Sequence, residues 1–88
     1  MTTVLPNLRV KVLFFGPIRE LTGASEEAIE VPVGATLENV FHLYCSRFPR
    51  LSTYRASLVA SQNQDFASWD SPVTEGDTIA FLPPVSGG

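Results

Sequence analysis

Apolar and polar residues alternate through Arg9-Val10-Lys11-Val12-Leu13-Phe14-Phe15, placing Val10, Val12 and Phe14 on one side of an extended chain before Gly16-Pro17 closes the run. The pattern predicts a first strand. Ile18 and Leu21 have the spacing of a single turn of helix, and Gly23 is suited to end it. From Ser25 to Val33, the apolar residues Ala28, Ile29, Val31 and Val33 sit among acidic ones and the stretch stops at Gly34, as expected of a second strand antiparallel to the first. The clearest period follows Thr36, a suitable N-cap: Leu37, Val40, Phe41, Tyr44, Cys45 and Phe48 recur at helical spacing until Pro49. About a dozen residues at 1.5 Å each give a helix roughly 18 Å long, enough to cross one face of a small sheet.

Beyond the helix, Ser57-Leu58-Val59-Ala60 and the neighbourhood of Phe66 read as short strands separated by the polar run Ser61-Gln62-Asn63-Gln64-Asp65. Glu75-Gly76-Asp77 is a turn, and Thr78 to Leu82 is a last strand with Ile79 and Phe81 on one face. The first and last strands are both apolar, so they are expected as central neighbours, and the helix between them allows parallel pairing. Residues 1–82 are therefore expected to form an α+β domain of the ubiquitin-like β-grasp type, a mixed sheet wrapped around one main helix, with residues 83–88 as an extended, flexible Gly-Gly tail.

Composition narrows the chemistry. The 88 residues, 44% hydrophobic, suit a single core. A net charge of −3 with six basic residues argues against a nucleic-acid partner. No stretch approaches the roughly 20 apolar residues of a membrane span, so no membrane partner is expected. Cys45 stands alone, which rules out an internal disulfide, and with His42 it cannot assemble a zinc pattern, so no metal is expected and a reducing, cytoplasmic setting fits. Cys45 shares the apolar helix face with Leu37, Phe41 and Phe48 and reads as packing, whereas His42 falls on the polar side without an assigned role. Glu26, Glu27 and Glu30 form either an acidic docking patch or a solvated strand edge, and Trp69 is either half-buried core or an exposed anchor.

The chemical feature is the tail. Pro83-Pro84 removes two backbone donors and favours extended geometry, so the last strand should end there in a semi-rigid stalk. Six extended residues from Pro83 to Gly88 reach roughly 20 Å, far enough to enter a narrow channel in another protein. Gly87 and Gly88 carry no Cβ, so a tunnel can close around bare backbone and bring a reactant to the carboxylate. A free carboxylate is a poor acyl donor. Activation as an acyl-adenylate, followed by displacement of AMP by sulfur, would give a thiocarboxylate, a tethered sulfur nucleophile. Phe81 and Leu82 occupy alternate faces just before the stalk and are the candidate partner-facing residues, with Phe81 expected inside and Leu82 outside.

The closing stretch Glu75-Gly76-Asp77-Thr78-Ile79-Ala80-Phe81-Leu82-Pro83-Pro84-Val85-Ser86-Gly87-Gly88 resembles the end of the molybdopterin synthase small subunits, the sulfur-carrier family. Val10 to Gly23, the helix from Thr36 to Pro49, and Trp69-Asp70 are similar to that family too, so the resemblance spans nearly the whole chain. It implies that Gly88 is adenylated with ATP by an enzyme related to those acting on ubiquitin, then converted to a 1-thioglycine with sulfur from a donor protein. No cofactor would be bound. Two small subunits would join a dimer of large subunits, each tail (Pro83, Pro84, Val85, Ser86, Gly87) lying in a large-subunit active site. There cyclic pyranopterin monophosphate becomes molybdopterin, with the catalytic side chains supplied by that partner. Ser61 to Phe66 is more polar than the usual segment, which leaves its strand register open, and residues 1–7 form a short extension without an assigned role. The alternatives are a sulfur carrier of the thiamine type, a ubiquitin-like modifier that joins lysines, since an amine can attack the same adenylate, and an interaction module whose end is chemically idle.

Overall fold

The polar-apolar alternation of the first strand sets the architecture, because it gives β1 (Asn7–Phe14) one face that must be covered. In the computed structural model, which describes residues 7–83, that cover is α2 (Leu37–Arg47). The order is β1, α1 (Gly16–Thr22), β2 (Glu26–Pro32), α2, a 3-10 segment (Pro49–Ser57), β3 (Val59–Gln62), β4 (Asp65–Ala67) and β5 (Thr78–Leu82). The strands lie side by side as β2-β1-β5-β3-β4. β1 pairs antiparallel with β2 (Val10 opposite Ile29) and parallel with β5 (Val12 opposite Ile79, Phe14 opposite Phe81), as the apolar first and last strands predict. This is the expected β-grasp.

The core lies between sheet and helix. Val10, Val12, Phe14, Val31, Ile79 and Phe81 from the strands meet Leu37, Val40, Phe41 and Tyr44 from α2, all at most 2% exposed. Thr36 starts the helix as expected. Its hydroxyl accepts from Asn39 N at 3.2 Å while the Asn39 carboxamide oxygen accepts from Thr36 N at 2.9 Å, a reciprocal cap that satisfies two otherwise orphan donors.

Three elements differ from the sequence pattern. α1 runs seven residues rather than one turn, since Pro17 presets its first turn and Gly23, at φ 75°, closes it by donating to Arg19 O at 2.9 Å. The 3-10 segment is invisible in the hydrophobic period because only Leu51 of it is buried. Its hydroxyls turn back locally instead, with Ser52, Thr53 and Ser57 donating to the carbonyls of Pro49, Arg50 and Tyr54. The polar run after Ala60 is not one loop: Ser61 and Gln62 finish β3, Asp65 opens β4, and the connection shrinks to Asn63-Gln64, both at positive φ, in a two-residue hairpin. The open register is Ala60 opposite Ala67 and Ser61 opposite Phe66.

Asp77 ties this hairpin to the start of β5. It is 4% exposed, and its carboxylate accepts from Gln62 Nε2, Asn63 Nδ2, Thr74 N and Thr74 Oγ1 at 2.7–2.8 Å. Burial alone would raise the Asp77 pKa, but these bonds favour the charged form and hold it below the usual value.

Candidate functional site

The end of β5 is where the tail begins, and two opposite surroundings meet there. Phe81 points into the core. Trp69 stacks on it in parallel, 5.6 Å between centroids, and Phe41 meets it edge-on at 5.2 Å. The Arg55 guanidinium lies 3.5 Å from the Trp69 ring centre and donates through Nε to Glu38 at 3.0 Å. That hydrogen bond holds the Glu38 carboxyl below its ordinary range despite partial desolvation. Phe81 is therefore withdrawn as a partner-facing residue, because this aromatic column buries it to 1% exposure. Trp69 is half-buried packing.

Leu82 takes the other face. By strand register it shares that face with Leu13, Ala80, Ser61, Val59 and Phe66, of which Ala80 and Ser61 are buried. Phe66 is 81% exposed, Phe15 44% and Val59 41%. Leu13, Phe15, Ala80 and Leu82 also line a shallow depression of about 250 Å³ together with Ser61, Gln64 and Thr78. Further along the same face, β1 and β2 carry the ion pairs Arg9–Glu30 and Lys11–Glu26, so an apolar centre abuts a charged border. Exposed apolar side chains with a charged border have the composition that protein-docking surfaces use. Leu82 lies on this outward face, as the alternation along the last strand predicts; its neighbours there on β3 and β4 carry no such sign in the sequence. The first strand does carry one, where Leu13 and Phe15 break the alternation by standing where polar residues were due.

The remaining candidates are inert. Glu26, Glu27 and Glu30 do not form a free acidic patch: Glu26 and Glu30 face Lys11 and Arg9, and Glu27 accepts from Arg47 Nη1 at 2.6 Å and Tyr44 Oη at 2.8 Å. The Arg47 bond holds Glu27 below the usual carboxylate range, while burial and the Glu27 bond push the Tyr44 hydroxyl up. Cys45 is half-buried, and burial raises its thiol pKa, the opposite of a nucleophile's environment. His42 is exposed, with Nε2 3.1 Å from Glu38 Oε2. Among the described residues no cluster of three or more His, Cys, Asp or Glu could hold a metal, and no helix is long and apolar enough to cross a membrane.

Pro84, Val85, Ser86, Gly87 and Gly88 lie outside the described residues. Pro83 is described. It is half-buried, beside Gly16 at the start of α1, where a Cβ on Gly16 would stand 3.7 Å from Pro83 Cγ.

A β-grasp core with one sheet face left apolar, beside a strand that leads into a sequence ending in two glycines, defines the class of small ubiquitin-like carriers. The chain belongs to the ThiS family, whose model matches residues 12–88. Within it, the chain is 41% identical over 81 residues to the molybdopterin synthase sulfur carrier subunit of Escherichia coli, covering 90% of this chain and 99% of that protein. A molybdopterin converting factor subunit 1 from Pyrococcus furiosus superposes with a TM-score of 0.80 at 29% identity, covering 89% of this chain and 99% of the other. A chain from a complex of subunits 1 and 2 of the Helicobacter pylori molybdopterin-converting factor gives a TM-score of 0.61 at 27% identity, covering 92% of this chain and all of the other.

Proposed function

We propose that this protein is the sulfur carrier subunit of a molybdopterin synthase and that Gly88 is the group that carries the sulfur. The observation that carries the reading is the junction at Leu82-Pro83, where the strand leading to the terminal glycines ends beside the exposed apolar residues Phe15 and Val59. A partner seated on that face would hold the body while the tail reaches its active site, making the terminus effectively intramolecular to the chemistry.

In this reading the Gly88 carboxylate attacks the α-phosphorus of ATP on a ubiquitin-activating-like enzyme, and pyrophosphate leaves. Hydrosulfide, released from a donor protein's persulfide by a thiol reductant that is oxidised to a disulfide, then attacks the acyl carbon; the bond to AMP breaks with its electron pair, the hydrosulfide proton is lost, and a thiocarboxylate remains. The acceptor is cyclic pyranopterin monophosphate bound to the large subunit. The Helicobacter complex of two subunits supports such a partner, and a heterotetramer of two small and two large subunits fits it. A cytoplasmic setting matches the single free cysteine. The residues 83–88 act as a tail distinct from the domain 1–82.

The test is removal of Gly88. The shortened chain is expected to fold and to bind the large subunit, yet to yield no molybdopterin in a reconstituted reaction. Full product from it would overturn the reading. The modifier alternative is separated by mass spectrometry of cellular protein, where isopeptide adducts through Gly88 would favour it.

A further inference from the structure

We infer that Asp77 is a positioning residue for partner docking, its buried carboxylate holding the β3–β4 hairpin so that Phe66 is presented on the outer face; the inference rests on the carrier reading above. β4 is three residues long and lies at the edge of the sheet, with β3 as its neighbour. A strand that short is marginal on its own pairing. Yet it carries Phe66, 81% exposed, and the turn before it contributes Gln64 to the depression beside Leu82. An exposed aromatic anchor binds best when its backbone is fixed in advance, since ordering it during association costs affinity.

What fixes the hairpin is polar and comes from the start of β5. Asp77 Oδ2 accepts from Gln62 Nε2 at 2.7 Å and Oδ1 from Asn63 Nδ2 at 2.8 Å, so one carboxylate holds the last residue of β3 and the first of the turn. Asn63 adds two bonds to Thr78, donating its backbone N–H to the carbonyl at 2.7 Å and accepting the Thr78 N–H on Oδ1 at 2.9 Å. Thr74 completes the set, its N–H donating to Oδ2 and its hydroxyl to Oδ1, both at 2.8 Å. Each carboxylate oxygen thus serves two donors in a group 4% exposed, where water is a poor substitute for a lost partner.

Exchanging the side chains at 63 and 77 tests the clamp. Asp77→Asn alone puts an amide where one carboxylate oxygen accepted, so Asn63 Nδ2 or Gln62 Nε2 meets another donor. Asp77→Asn combined with Asn63→Asp remakes every pair: the new carboxamide donates to the new carboxylate, and its oxygen still accepts from Gln62 and the Thr74 N–H. Aspartate also tolerates the φ of 55° at position 63. Asp77→Asn is expected to weaken binding to the large subunit about fivefold, and the combined variant to recover it. Hydrogen exchange of the β4 amides, relative to those of β1, should quicken in the first and return in the second. In a Phe66→Ala background Asp77→Asn is expected to change affinity no further, because the side chain that it positions is gone. Tyr44→Phe, which loses its bond to Glu27 on the opposite edge strand β2, is the destabilised control and should keep wild-type affinity. If Asp77→Asn fails to fold, Asn63→Gly takes its place, since glycine keeps the positive-φ turn and removes the side-chain clamp. Wild-type affinity in the clamp variant, losses that add to that of Phe66→Ala, or no recovery in the combined variant would overturn the inference. If the wild type binds no large subunit, the carrier reading fails instead, and the β4 exchange rates still decide whether Asp77 holds the hairpin.

Discussion

The two faces of the sheet are built from similar residues and have opposite fates. On the inner face, Val10, Val12, Phe14, Ile79 and Phe81 are sealed by α2. On the outer face, Leu13, Phe15, Val59, Leu82 and Phe66 are comparably apolar, yet among the described residues Phe66, Phe15 and Val59 stay 81%, 44% and 41% exposed. Apolar area withdrawn from water is worth about 25 cal/mol per Å² wherever it occurs. The inner face uses that energy for folding; on the function proposed above, the outer face keeps it for association. Adjacent residues on one strand divide the roles: Phe81 anchors the core and Leu82 faces outward at the root of the tail.

Substitutions that separate stability from binding sharpen this contrast. The largest effect is expected at Phe41→Ala, which opens the inner face beneath Trp69 and Phe81 and should cost about 3–5 kcal/mol in urea denaturation. A loss below 1 kcal/mol would mean that the aromatic column is not a packed unit. Asp77→Asn should cost about 1–3 kcal/mol, since it removes the charge that four donors serve. The pH dependence follows from the same group. Its pKa is lower folded than unfolded, so its contribution is fully present above the unfolded value of about 3.9 and fades as pH falls through the folded one. Acid unfolding curves of wild type and Asp77→Asn should therefore converge at low pH. Curves that stay parallel down to full protonation would contradict the assignment.

Smaller effects test the same division. Thr36→Ala breaks the reciprocal cap of the helix that seals the inner face, for about 1 kcal/mol by thermal denaturation. Phe66→Ala should change stability least, within about 0.5 kcal/mol, because the side chain is 81% exposed. Its effect belongs to binding: affinity for the large subunit, by calorimetry, should fall by at least about tenfold. Unchanged affinity would remove Phe66 from the docking face.

The inner face was legible in the sequence because burial leaves a period: two in β1 and β5, 3.6 in α2. The parallel pairing of β1 with β5 followed from two apolar strands flanking a helix. The 3-10 segment was illegible because its order comes from hydroxyl-to-carbonyl bonds between polar residues, which leave no hydrophobic repeat. Ser61 and Gln62 looked like loop because their burial is polar: Gln62 is held by Asp77 and by the Pro72 carbonyl, partners far away in sequence. The outer apolar face was half legible. Leu82 was read from alternation, whereas Phe66 and Val59 belong to short strands whose pairing only the fold reveals.

The most direct measurement is the intact mass of the protein after incubation with an activating enzyme, ATP and a sulfur source, with the change mapped to the terminal peptide. Exchange of one oxygen for one sulfur at Gly88 is the expected result. An unchanged mass, with the activating enzyme shown active on another carrier, would contradict the assignment of this chain as a sulfur carrier.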